Sequence, residues 1–198
     1  MAQEHSFASP GPAGLGALAV ACFGFAAAFL GKVAVEGLPL LFAWLMGGCL
    51  VQYTTAVMEL KDHNILGGNV FLFFSAFFML GAGFSTLSKF FMIKFGMKPA
   101  AAVEGWMWMA GASFLTVVTP GYAKGNLFIF ILVLLLDVVL WMIVGVDTGW
   151  YGDPAVFKPT IGWLLVVSGF IGVYLAGAVV CNTVYGKPIF FVPKPLVK

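Results

Sequence analysis

The sequence contains no arginine: ten lysines and eight acidic residues carry all of its fixed charge, 9% of 198 residues. Without guanidinium forks to grip phosphates in pairs, nucleic acid is not an expected partner. Histidine is scarce too. His5 and His63 stand far apart, and no Cys or His pair has the spacing of metal ligands, so neither a metal nor a cofactor is expected. No nucleophile elbow or phosphate loop is present, and Gly81-Ala82-Gly83 lacks the flanking residues of a nucleotide motif. An enzyme is therefore the least favoured class. The three cysteines, Cys22, Cys49 and Cys181, are odd in number and fall in apolar runs, where they read as small packing residues rather than a disulfide framework.

What the chain has in abundance is oil. Hydrophobic residues make up 62% of it and its mean hydropathy is +1.04, more apolar surface than one water-soluble core of this size can hide. Lipid is the solvent this composition demands. Crossing about 30 Å of hydrocarbon takes roughly 20 helical residues, and six runs of that kind are present. They cover residues 14–31, 38–60, 67–87, 103–119, 126–146 and 159–183. The reading is an all-α membrane protein: a six-helix transmembrane domain over 14–186, an N-terminal segment 1–13 and a C-terminal tail 187–198. The opening segment has no basic residue, so the first span reads as a retained helix rather than a signal peptide.

Punctuation supports these limits. Ser9 and Pro10-Gly11-Pro12 open the first span, serine as a cap and proline in the first turn. Residues 88–102, with Lys89, Lys94, Lys98 and Pro99, read as the longest solvated loop, and the proline-rich tail as extended. Lysines divide five against five between the two membrane sides, so the positive-inside rule gives no orientation. Trp44, Trp106, Trp108, Trp150 and Trp163 suit the headgroup zone near span ends.

Several features bear on function. The last span shows two small-residue faces, Gly169-Val173-Gly177-Cys181 and Ser168-Gly172-Ala176-Val180, suited to close packing within a bundle or between protomers. Glu59 to Asn64 reads as a solvated turn, or as a vestibule in which Asn64, Gln52 and the N–H groups at Gly67-Gly68-Asn69 meet an anion. Asp137 is the most isolated charge, with only apolar residues from Phe128 to Leu136 before it and from Val138 to Val144 after it. A carboxylate at mid-bilayer costs roughly 2.5 to 3.5 kcal/mol, so Asp137 is either a structural hydrogen-bonding group or a proton carrier.

Ser9-Pro10-Gly11-Pro12-Ala13-Gly14-Leu15 resembles the asparagine-proline-alanine-proline-leucine-glycine-leucine signature of the acetate uptake transporter family, also called the succinate–acetate permeases. Gly47-Gly48, Gln52, Glu59 and His63-Asn64-Ile65-Leu66-Gly67 extend the similarity. The resemblance implies a homo-hexamer of six-helix protomers in the plasma (inner) membrane, termini cytoplasmic, each protomer with its own pore for acetate and similar small carboxylates, succinate in some members. It implies an apolar constriction at Leu18, Phe74 and Leu135, and a substrate pathway touching Ser9, Pro10, Gly14, Gln52 and Asn64. Serine in place of the signature asparagine, and Leu18 and Phe74 where an aromatic and a tyrosine are common, make this constriction drier.

The expected function is thus passage of acetate, passive or proton-coupled, through a narrow apolar pore. A channel for a small neutral solute such as urea, or a non-transporting membrane scaffold, is the alternative. Residues two apart on a helix point about 200° away from each other, so Leu135 and Asp137 cannot both face one lumen.

Overall fold

A computed structural model describes residues 8–197; Met1 to Phe7 and Lys198 lie outside it, and with them His5 and most of the N-terminal segment. Six helices follow in order: α1 (Gly11–Phe29), α2 (Leu38–Lys61), α3 (Ile65–Lys94), α4 (Ala102–Val118), α5 (Leu127–Thr148) and α6 (Pro154–Tyr185). Short 3-10 turns at Val35–Gly37 and Thr119–Lys124 join them. Among the described residues there is no strand, only an isolated bridge between Asn126 and Pro195. All the helices but α4 are long and apolar enough to cross a bilayer. The 17 residues of α4 rise about 25 Å, and the 3-10 turn that continues it adds the remaining depth. The chain is an integral membrane protein with a six-helix fold.

Helix neighbours form a ring. α1 packs most extensively on α6, then on α2; α2 packs on α3, α6 on α5 and α5 on α4, while α4 and α3 touch only lightly to close the circle. Small residues allow the tight α1–α6 seam: a Cβ on Gly162 would lie 2.6 Å from Leu30 Cγ and one on Gly169 2.7 Å from Phe23. Of the two small-residue faces on α6, Ser168, Gly169 and Gly172 are buried, whereas Val173, Gly177 and Val180 are exposed. Both stripes are buried at their first residues and open at later ones, so α6 packs inside the bundle through Ser168, Gly169 and Gly172 and presents Val173, Gly177 and Val180 outward.

The helix ends differ instructively from those expected. The N-cap of α1 is Pro10, not Ser9, because the helix begins at Gly11 and the Pro10 carbonyl accepts from Ala13 and Gly14. α3 runs on to Lys94, so the solvated loop shrinks to residues 95–101. Phe90 and Phe91 keep that end apolar, while Lys89 pairs with Glu104 and the Lys94 ammonium lies 5.7 Å from the centre of the Phe90 ring. α6 starts at Pro154, capped by the Asp153 carboxylate on the Ala155 N–H (2.9 Å), and carries Pro159 within it. It stops at Gly186, whose φ of 64° suits glycine. Trp108, expected near the headgroups, turns inward against Phe78, rings 5.8 Å apart, whereas Trp44, Trp106, Trp150 and Trp163 are exposed.

The tail is extended, but it is docked. Asn182 accepts from the Ile189 and Phe190 N–H groups, Tyr174 donates to the Phe191 carbonyl, and the Val197 N–H donates to Ala123.

Gly162→Val should destabilise the α1–α6 seam by about 1–3 kcal/mol through overpacking, and Gly177→Val, where a Cβ meets nothing within 4 Å, should not. Thermal unfolding in detergent checks both. Equal midpoints for the two variants would contradict the assignment of the seam.

Candidate functional site

Residues three and four apart on a helix share a face, and α2 uses that rule to carry a polar stripe inward: Gln52, Thr55 and Glu59, with 0%, 2% and 7% exposure. Each meets the start of a neighbouring helix. Gln52 Nε2 reaches the Gly14 carbonyl in a long contact of 3.4 Å, and Thr55 Oγ1 lies 3.5 Å from the Pro10 carbonyl. Glu59 Oε2 accepts a short hydrogen bond from Asn64 Nδ2. Asn64 is also the N-cap of α3, its Oδ1 accepting from the Gly67 N–H at 3.1 Å.

Glycine makes these approaches possible. A Cβ on Gly11 would stand 3.2 Å from Glu59 Oε1, one on Gly67 2.7 Å from Asn64 Nδ2, and one on Gly14 2.7 Å from the Phe71 ring. Glu59 thus sits between the N-termini of α1 and α3, whose aligned peptide dipoles favour negative charge. Among the described residues no ion pair involves it; the ion pair present, Lys89 with Glu104, belongs to the far end of α3.

Beside this stripe lies a cavity of about 200 Å³ to which all six helices contribute. That is smaller than the roughly 300–1,000 Å³ of pockets for drug-sized ligands, and it suits a molecule of a few heavy atoms. Its polar end is formed by Gln52, Glu59, Asn64, Tyr122 and Asn126. Its apolar end is formed by Leu18, Phe74 and Leu136, all less than 7% exposed, with Leu115 and Leu132 beside them. At Phe74 the third helix widens into a π-helical stretch, Phe74–Gly81, which brings Phe74, Phe78 and Met79 into the bundle centre.

The sequence-expected residues fall into three groups. Leu18, Phe74, Gln52 and Asn64 line the cavity. Pro10 and Gly14 are not among the lining residues and meet Thr55 and Gln52 through their backbone carbonyls, and Ser9 is exposed and not part of the lining. Leu135 does not face the cavity; Leu136 does, because one residue of error on a helix rotates a side chain by 100°. Asp137 is outside the cavity as well. It accepts from Thr116 Oγ1 of α4 at 2.7 Å, and Thr116 in turn accepts from Trp141 Nε1 at 3.0 Å. The N–H groups expected to meet an anion at the start of α3 are engaged internally, Gly67 with the Asn64 side chain and Gly68 with the Asn64 carbonyl.

Two residues were not singled out as sites from the sequence. Glu59 sits in a segment that reads as a solvated turn, yet its seven-residue spacing from Gln52, with Thr55 between, is the signal of a buried polar face. Tyr122 lies in the 3-10 turn before α5 and gives no periodic signal. Its side chain lines the polar end of the cavity.

No protein-family model matches the chain, and no curated protein matches it. Among solved structures, the chain shares its fold with one titled "Structure of the bacterial acetate channel SatP". The TM-score is 0.79 at 21% identity, with 94% of this chain and 99% of that one covered.

Asn64→Ala removes both a helix cap and the amide on Glu59, and should lower stability by about 1–2 kcal/mol, read as a fall in thermal midpoint.

Proposed function

We propose that this protein is a member of the acetate uptake transporter family and passes acetate and similar small monocarboxylates, succinate included if the passage widens, across the plasma (inner) membrane. One observation carries the reading: a cavity for a few heavy atoms, polar at one end and closed by Leu18, Phe74 and Leu136 at the other, in a fold shared with an acetate channel. The chemistry is consistent with it. A two-carbon acid has a methyl group that tolerates an oily constriction and a carboxyl group that needs the polar end. Its pKa, like that of a glutamate side chain, is roughly 4–5, so near neutrality most molecules are anions that lipid excludes.

The resemblance to that family extends the proposal to a homo-hexamer with cytoplasmic termini. Asp137 supports the oligomer. It is only half-buried at mid-span, where lipid offers it no hydrogen bond, and Thr116 beside it is exposed. A groove of about 500 Å³ on the outer side of α1 and α2, lined by Ala13, Ala17, Gly47, Gly48 and Trp44, offers the close approach that helices of another copy need. Native mass spectrometry should find six copies. A monomer at every concentration in mild detergent contradicts this part.

Proteoliposomes loaded with no acid should take up labelled acetate faster than empty vesicles at about pH 7, and unlabelled short acids should compete. Uptake equal to the vesicle background refutes the proposal. Leu18→Ala, Phe74→Ala and Leu136→Ala should each admit a bulkier acid such as lactate, whereas Leu135→Ala should leave size selectivity unchanged. Asp137→Asn, which keeps an acceptor for Thr116, should retain acetate flux within about twofold.

A further inference from the structure

The chain beyond α6 is non-helical, yet it is held at several points. Gly186, with a φ of 64°, turns it off the helix axis, and Pro188, Pro193 and Pro195 withhold N–H groups that a further helix would need. Backbone of this kind beside an apolar bundle needs hydrogen-bond partners, and α6 supplies them. Asn182 Oδ1 accepts from the Ile189 N–H at 2.7 Å and from the Phe190 N–H at 2.8 Å, while its Nδ2 donates to the Phe190 carbonyl at 2.9 Å. The Tyr174 hydroxyl donates to the Phe191 carbonyl at 2.8 Å. Rings add to this grip: the centre of Phe128, at the start of α5, lies 5.8 Å from that of Tyr174 and 6.3 Å from that of Phe191. The segment thus crosses from α6 to α5.

Its farther part lies against the turn that builds one wall of the cavity. Pro195 forms the isolated antiparallel bridge with Asn126, and the Val197 N–H donates to the Ala123 carbonyl at 3.0 Å. Ala123 stands between Tyr122 and Asn126, the two residues that this turn contributes to the polar end. The turn itself is 3-10, with poorer hydrogen-bond geometry than an α-helix, so partners outside it matter to where it sits. We propose that residues 187–197 are a strap that positions Tyr122 and Asn126 at the polar mouth, so that the strap governs the affinity for a small acid while Leu18, Phe74 and Leu136 govern its size. Asn182 and Tyr174 are then positioning residues. They hold the strap, and neither is among the described lining residues of the cavity.

That the ligand is a small acid rests on the proposed function, so the test has one arm that reads flux and one that does not. With Asn182→Ala and Tyr174→Phe combined in the full chain, the KM for labelled acetate uptake into proteoliposomes should rise roughly two- to tenfold, the worth of one or two hydrogen bonds. The maximal rate and the discrimination against lactate should match those of the parent. Asn182→Asp alone, which keeps an acceptor for both N–H groups, should stay near the parent KM. Hydrogen exchange read by mass spectrometry needs no flux: amides of residues 120–129 should exchange roughly two- to tenfold faster in the double variant, and those of residues 59–68 at the parent rate. If the double variant does not fold, Tyr174→Phe alone, which keeps the ring and loses the donor, carries both arms. In a protein that passes acetate, an unchanged KM overturns the inference and leaves the acetate reading intact. Unchanged exchange at 120–129 overturns it too, as does faster exchange spread equally over 59–68, which marks general loosening. A parent that passes no acetate overturns the acetate reading instead, and the exchange arm still decides the role of the strap.

Discussion

A carboxylate inside an all-helical membrane bundle has to be held by something, and Glu59 is held by dipoles. Its neighbours are the N-termini of α1 and α3 and the amide of Asn64, with no ion pair among the described residues. Helix N-termini offer partial positive charge in a fixed direction, and each counts for more where water is excluded. Holding Glu59 this way fixes the geometry of half the ring. The end of α2 and the starts of α1 and α3 must converge on one point, which they do only because Gly11, Gly14 and Gly67 leave room. Gly68 tightens the same corner, where a Cβ would lie 2.6 Å from Leu60 Cγ and 3.0 Å from the Leu60 nitrogen.

Away from that corner the bundle has almost no polar interior. Phe74, Phe78 and Met79 fill the centre beyond the cavity, joined by Leu140, Ile143 and Val144 from α5. Formal charge reappears at the other end of α3, where Lys89 pairs with Glu104 and Ser85 donates to the same carboxylate. Lys32, Lys61 and Lys124 likewise stand at helix ends or in turns. The long axis therefore has a polar mouth, an oily middle and a charged far rim.

The fold was largely legible because hydropathy and helix punctuation are one-dimensional signals: six apolar runs bounded by glycine, proline and lysine became six helices. What the sequence could not carry was rotation. From Phe128 to Leu136 every residue of α5 is apolar, so no polar face marks which side turns inward, and Leu135 could not be told from Leu136. Where polar residues do mark a face, as Gln52, Thr55 and Glu59 do on α2, the phase was present to be read. The charge at Glu59 was hidden only by its closeness to a turn. Asp137 attracted attention for its isolation, yet isolation along the sequence says nothing about neighbours on another helix, and Thr116 lies 21 residues away. Tyr122 and the docking of the tail on Ala123 depend on chain segments meeting in space and leave no periodic trace.

The absence of arginine with which the sequence began acquires a physical meaning in this geometry. A passage that concentrated anions by attraction would place fixed cations along its wall, and the described lining of this cavity has none, only a carboxylate and neutral groups. Such a wall does not draw a charged acid out of water; an anion entering it loses hydration and meets Glu59. The same wall suits a solute whose charge is already cancelled, because neutral donors and acceptors replace water at little cost while the side chains of Leu18, Phe74 and Leu136 accept the alkyl part.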